Sequence, residues 1–295
     1  MLLVFSSVQG ACAAKACGGQ LVYSAGHVVV LLDLRTRSET VILRAADQVS
    51  FFDYPVVRSN SSVILESMHL LRTPKLQLFD VRSKQVSSLV DGTMPTYIKA
   101  SDTLFLWRGL PGGEHLYIAH LDTLNSALEI GEGPPLEKVN GVLDVRTRPV
   151  VAVSRGTVAF LGRDLKVWTY TISTHQAQDT QMDDCLPEAW RTRTSQLVCR
   201  RGENGRFLQD TGFSLVDLRT RRSTPINIPK DAHGLVYSPD CDLLFYASEG
   251  KGLWSTIRAY DFDHDSDVAV SPTNRFFNHG AWLQLDGGSN GDDAP

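Results

Sequence analysis

The densest run of side chains able to do chemistry is Asp261-Phe262-Asp263-His264-Asp265-Ser266-Asp267, in which carboxylates alternate with other residues. Oxygen ligands at alternate positions of a tight loop suit calcium, a hard cation that takes six or more oxygens. Asp263, Asp265 and Asp267 are therefore the candidate calcium ligands. The run departs from a calcium loop in two places. Its sixth residue is Ser266 rather than Gly, and its twelfth is Pro272 rather than Glu. The competing reading is a solvated acidic turn, in which Asp261 holds the backbone as Asp33, Asp80 and Asp217 would at like positions.

Patterns that mark catalysis are scarce. The chain has no G-x-S-x-G, no H-E-x-x-H, no phosphate-binding Gly loop and no C-x-x-C. Its eight histidines are scattered. His233 and His279 stand at related positions, and with acids such as Asp231 or Asp47 they would make a metal or general-base site if the fold brought them together. Capping or surface histidine is the other reading. Asn60-Ser61-Ser62 is a glycosylation sequon, meaningful in a eukaryotic secretory route.

The elements that must position these residues recur. An apolar alternating strand ends in an Asp-apolar step, turns through polar residues and returns as a second strand. The clearest copies are Val28 to Leu43, Leu76 to Val90 and Phe213 to Ile228. Weaker ones start at Leu116, Val167 and Ile257. A second hairpin precedes each: Tyr54 to Met68, Pro95 to Gly109, Gly141 to Arg155, Pro187 to Arg201 and His233 to Ser248. Period-2 alternation and β-branched residues mark strands, and no segment sustains a helical period. Each unit is thus four antiparallel strands, A to D from inside outward, repeating at roughly the 40–50 residues of a propeller blade.

The ends complete one another. The first unit starts at strand B, with QLVYSAGHVVVLLDL, and FFNHGAWLQLDGG near the far end reads as a lone strand A. Joined, they make one blade and leave no open edge. The expected fold is all-β: a six-bladed β-propeller over 15–287, with a possible signal-peptide remnant at 1–14 and a disordered polar tail at 288–295.

Tyr237-Ser238-Pro239-Asp240 followed by Leu243-Leu244-Phe245, with the Asp turns at Asp33, Asp80 and Asp217, resembles the repeat of TolB-like, WD40-like propellers. The resemblance covers nearly the whole chain as a fold-level pattern. One unit keeps Ser-Pro-Asp, and there Cys241 replaces the usual Gly. It implies a binding scaffold or an accessory domain; fold alone carries little about function.

On such a ring the A–B and C–D turns share one face. They hold Arg35, Arg37, Arg58, Arg82, Lys84, Arg146 and Arg148, and from blade five Arg191, Arg193, Arg219, Arg221 and Arg222. Blade six adds acids there, among them Asp240, Asp242 and Asp263. Such a field steers an acidic partner; plain solvated turns are the bland alternative. The longest loops lie on the other face, Arg200 to Gly212 with Arg206 and Ser248 to Ser255 with Trp254, and Arg206 and Trp254 are the candidate contacts there.

Composition bounds the rest. The 295 residues are 42% hydrophobic and 21% charged, with net charge −4. No global positive excess points to nucleic acid, and no run reaches the ~18–20 apolar residues of a membrane span. Met1 to Val8 followed by the small residues around Ala11 and Ala13 reads as the end of a secretory signal, which implies export to the periplasm or medium; without it the protein would be cytoplasmic. Cys12 would leave with the signal. Cys17, Cys185, Cys199 and Cys241 then allow three pairings, or stay as buried thiols. Cys185 and Cys199 flank a predicted hairpin turn, and Cys17 with Cys241 would complete that pairing. The resulting expectation is a monomeric, non-enzymatic scaffold for a protein or cell-envelope partner. The alternative is a hydrolase or lyase acting on a small molecule or glycan at the channel mouth.

Overall fold

The computed structural model describes residues 17–110, 113–121, 137–138, 150–152, 156–162, 165–202, 211–249, 255–271 and 279–283. They form six four-stranded antiparallel sheets. Blade one is Gln20–Ala25, Val28–Asp33 and Ser38–Arg44, with Gly280–Leu283 from the far end of the chain as its strand A. Blade two is Ser50–Ser59, Ser62–His69, Arg72–Asp80 and Val86–Asp91. Blade three is Thr93–Ile98, Thr103–Leu110, Gly113–His120 and Glu137–Lys138. Blade four is Val150–Ala152, Thr157–Leu161, Val167–Thr171 and Gln176–Met182. Blade five is Cys185–Arg191, Gln196–Arg201, Phe213–Asp217 and Arg222–Ile226. Blade six is His233–Ser238, Leu243–Glu249, Ser255–Asp261 and Ser266–Ala269.

The sheets are buried on both faces, which is why their middle strands read as nearly unbroken apolar runs. Alternation then decides which neighbour a side chain meets. In blade two, Val63 and Leu65 pack toward blade one, whereas Ile64 and Leu76 pack toward blade three. Each of the six apolar clusters spans one pair of consecutive blades, and the cluster of Phe245 and Ile257 with Leu21 and Val30 joins blade six to blade one. The ring is therefore closed: a six-bladed β-propeller. No helix among the described residues is long and apolar enough to cross a membrane.

Closure has three components. Gln20 to Tyr23 pairs antiparallel with Leu283 to Gly280. Trp282 stacks on Phe245 of blade six, ring centroids 5.3 Å apart, and its Nε1 donates to Asp240 at 3.1 Å. A Cβ at Gly19 would meet the Trp282 ring at 2.0 Å, so this crossing needs glycine. A disulfide between Cys17 and Cys241 ties the same junction across 224 residues. The second disulfide, Cys185 to Cys199, joins strands A and B of blade five.

The recurring aspartates work as turn holders. Asp33 accepts from the Thr36 amide at 2.9 Å, Asp80 from Arg82 and Ser83 at 2.9 and 2.6 Å, Asp217 from Arg219 and Thr220 at 2.9 and 2.8 Å, and Asp261 from Asp263 and His264 at 2.9 and 3.3 Å. Four residues after each Asp the backbone turns left-handed, at Arg37, Lys84, Arg221 and Asp265, with φ of 55°, 60°, 56° and 46°. That is the hairpin loop in which a residue at positive φ closes the turn. These backbone donors hold the Asp33, Asp80 and Asp217 carboxyls below the ordinary value.

Two expected boundaries move. The A–B turn of blade four is not near Arg146 and Arg148. Val150–Ala152 is strand A, pairs with Thr157–Leu161, and turns through Gly156 at φ +55°. Arg146 and Arg148 lie outside the described residues. Strand D of blade three is Glu137–Lys138, beyond the repeat phrase that starts at Leu116. The stretches expected as signal and tail, 1–14 and 288–295, also lie outside the described residues.

Candidate functional site

The cationic turns divide into cations that are spent and cations that are not. Arg191, at the end of strand A of blade five, donates from Nε and Nη2 to Asp242 of blade six at 2.9 and 2.5 Å. Tyr237 donates its hydroxyl to the same carboxylate at 2.8 Å, and the Phe262 ring lies 4.4 Å from the guanidinium. Only 13% and 8% of the two charged side chains is exposed. Burial raises the Asp242 pKa, but the hydrogen bonds from Arg191 and Tyr237 outweigh it and hold the carboxyl below 3.8. Tyr237 is pushed up to about 12, by burial and by that carboxylate.

The same device joins blades two and three. Arg58 donates to Asp102 at 3.2 and 3.0 Å, and Tyr97 donates to it at 2.7 Å. Tyr97 to Asp102 and Tyr237 to Asp242 share one spacing on an A–B turn. Arg58 and Arg191 thus clamp neighbouring blades and are not open binding cations. Arg193, Arg219, Arg221 and Arg222 differ: all are exposed, and none makes an ion pair with a carboxylate among the described residues. Arg193 donates to the Asp240 carbonyl at 3.3 Å and Arg221 to Gln181 Oε1 at 2.8 Å.

Arg219 and Arg221 border a groove of about 640 Å³ between blades four and five. Its blade-four wall carries Thr157, Thr169, Thr171 and Gln178; its blade-five side carries Trp190, Ser195 and Leu218. The sequence dictates this wall. Strand C of blade four alternates Trp168-Thr169-Tyr170-Thr171. Tyr170 and Trp168 pack toward blade three with Val158 and Phe160, which turns the threonines toward blade five.

The cross-strand register makes the blades comparable. On strand B, the residues level with Ala159 are Val22, Ile64, Phe105, Val198 and Phe245. On strand C, those level with Thr169 are Leu31, Leu78, Ile118, Leu215 and Ala259. Blade six offsets its small Ala259 with Phe245. Blade four has Ala159 on strand B, buried against Trp190, Leu197 and Cys199 of blade five, and a polar residue on strand C, Thr169, which lines the groove. Blade five also departs from the clamp. Trp190 and Ser195 stand where Tyr97 and Asp102, or Tyr237 and Asp242, stand in the clamped blades, and Ser195 keeps their positive φ at 57°. A serine gives no carboxylate to clamp blade four.

The other expected sites fare differently. The acidic turn is not gathered on one point. Asp267 pairs with Arg258 and accepts from Tyr246, Asp265 accepts from Tyr260 at 2.6 Å, and Asp263 lies 3.8 Å from Arg191. Among the described residues no group of three or more His, Cys, Asp or Glu is placed to hold a metal ion. Arg206 and Trp254 lie outside the described residues.

At the strand-A starts, His279 contacts an acid that sequence reasoning missed, Asp53, at 2.8 Å, with its ring stacked on Tyr54 at 3.8 Å between centroids. Ser24 donates to Asp53 at 3.1 Å and meets His279 only through backbone atoms, so it is not poised as a nucleophile on that imidazole. His233 contacts the Asp231 carbonyl at 3.1 Å, and Asp47 accepts from the Val49 amide at 3.1 Å. Glu188, also missed, binds Arg200 at 3.1 Å; burial pushes its carboxyl up, against Arg200 and the two histidines.

Comparison with known proteins supports the fold alone. No protein-family model matches the chain, and no curated protein matches it in sequence. Among solved structures, TolB from Acinetobacter baumannii superposes with a TM-score of 0.67 at 11% identity, over 90% of this chain and 66% of that one. This chain thus spans just under two thirds of that TolB. A chain from a nidogen/laminin complex gives 0.66 at 12% identity, over 90% of this chain and 99% of that one. A protein described as TolB from Agrobacterium tumefaciens gives 0.64 at 10% identity, over 89% and 92%. The chain therefore resembles TolB-like propellers at the level of fold.

Proposed function

We propose that this propeller is a non-enzymatic binding scaffold that takes an anionic cell-envelope partner on the turn face of blade five. One observation carries the reading: Arg193, Arg219, Arg221 and Arg222 keep their charge without carboxylate partners among the described residues, while Arg58 and Arg191 on the same face are consumed by clamps. Exposed guanidinium groups that are not locked in an ion pair on a rigid ring pull anions in and bind them bidentately. The structural likeness to a chain from a nidogen/laminin complex agrees with a ring used for binding. Two disulfides support action in an oxidising compartment, outside the cytoplasm.

The test is capture from the native host. Reversing Arg193, Arg219 and Arg222 to Glu is expected to lose the partner and leave the thermal midpoint nearly unchanged, because exposed charge changes cost within about 0.5 kcal/mol each. Capture by the unaltered protein should also fade as salt rises above ~0.15 M, where the Debye length falls below about 8 Å. Undiminished capture by the triple variant contradicts the reading.

A further inference from the structure

The groove between blades four and five has the wrong chemistry for a packing defect. A cavity left by chance between apolar sheets is lined with apolar atoms and stays dry. Here the wall is threonine hydroxyls with the exposed Gln178 amide at its edge, and half-buried Thr169 has no side-chain hydrogen-bond partner among the described residues. Polar groups held at a half-buried surface without protein partners are groups that a ligand satisfies. The volume of about 640 Å³ lies within the range of roughly 300–1,000 Å³ usual for ligand sites.

The lining also selects among ligands. Protein-binding surfaces concentrate aromatic residues, Met and Arg, and their energetic centres under-use Ser and Thr. This wall shows the opposite bias: Thr157, Thr169, Thr171 and Gln178 on one side, with Trp190 and Leu218 as the apolar part. Donors and acceptors at that density match a molecule that carries hydroxyls on most of its carbons. The lining holds two carboxylates as well, but Asp179 is paired with Lys166 at 3.2 Å and Asp217 accepts from the amides of its own turn, so Arg219 and Arg221 are the charged groups left to meet a planar carboxylate.

We infer that the groove binds a sugar bearing a carboxylate, as a free acid sugar or as a unit of an acidic glycan chain. This rests on the reading that blade five receives an anionic partner, and it names that partner's chemistry. The hydroxyls lie along the threonine wall, and the carboxylate faces Arg219 and Arg221.

Calorimetry with four probes tests it: galacturonic acid, its hexamer, a galactose hexamer and hexaglutamate. The acidic hexamer is expected to bind, and the neutral hexamer and hexaglutamate to bind much more weakly. Equal binding of the monomer and hexamer identifies a free sugar as ligand; tighter binding of the hexamer identifies a chain, and both outcomes support the site. Thr169→Val should weaken the acidic hexamer about fivefold, the usual worth of one hydrogen bond. Thr169→Leu, which fills the groove with the residue blade five carries at that level, should abolish binding, whereas Arg72→Glu, exposed on blade two, should leave it unchanged. If hexaglutamate binds as well as the acidic hexamer, and the filled variant keeps both, the sugar assignment is overturned while the cationic face stands. If no probe binds but partner capture still depends on the arginine triple, the sugar assignment alone fails. If capture is insensitive as well, both fail.

Discussion

The boundary between blades five and six and the boundary between blades four and five start from the same plan and end differently. At the first, Val198 and Leu215 fill the sheet interface, and Arg191 closes the turn face onto Asp242. At the second, Ala159 packs into the apolar cluster but Thr169 opens onto a groove, and Ser195 stands in place of the clamp aspartate. A propeller needs every boundary to hold the ring but not every boundary to be sealed. Where the interface is filled, arginine is spent on structure. Where it is open, arginine keeps its charge beside Thr169, whose side chain has no hydrogen-bond partner among the described residues. The same residue type on the same face thus has two jobs, decided by where it stands in its blade: Arg191 ends strand A within reach of Asp242, whereas Arg219 and Arg221 stand on the C–D turn beside the groove.

Breaking the sealed side should have the largest effect. Arg191→Met leaves the buried Asp242 carboxylate with Tyr237 alone, and removing one partner of a buried pair costs about 3–5 kcal/mol. Chemical denaturation should show that loss, and adding Asp242→Asn, which suits the left-handed backbone there, should recover part of it. Arg58→Met at the boundary of blades two and three should cost less, about 1 kcal/mol, because its partners are more exposed at 21% and 29%.

Ring closure comes next. Cys17→Ser should destabilise by about 2–4 kcal/mol, the usual worth of one disulfide, and leave the 5/6 clamp intact. Denaturation with and without reductant measures it; a reductant-independent midpoint in the unaltered protein would remove the covalent part of the closure account.

Acid should erase the clamp difference. Asp242 is held below 3.8 in the folded chain, so its contribution is fully present above that pH and is lost as pH falls through the lower folded value. The gap in melting temperature between the unaltered protein and Arg191→Met should therefore shrink on acidification and vanish once pH falls below the lowered folded value of Asp242. A gap that widens on acidification would mean that the pair is not what the mutation breaks.

The strands and the Asp turns were legible because their causes are local: alternation sets which face a side chain takes, and one carboxylate caps its own turn within three residues. The clamps were not. Arg191 and Asp242 are 51 residues apart and Arg58 and Asp102 are 44 apart, so each arginine reads locally as an exposed turn residue. Asp53 and Glu188 were missed for the same reason: each sits inside an inner strand and meets its partner from another blade or strand. Strand A of blade four was misplaced because Val150-Val151-Ala152 suits either inner strand, and Gly156 supplies the turn expected near Arg146 and Arg148. The groove did leave a sequence signal, the Thr169 and Thr171 that interrupt an otherwise apolar strand position, but reading it requires the register between blades.

The central claim, that the boundary of blades four and five is left open at a cost in stability, is tested most directly by melting the variant Thr169→Leu. Filling the groove with the residue of the sealed blades should raise the midpoint by about 2–4 °C per kcal/mol of added burial. A midpoint that falls would show that Thr169 is needed for the fold, and that the groove is part of the packing rather than a place kept for a ligand.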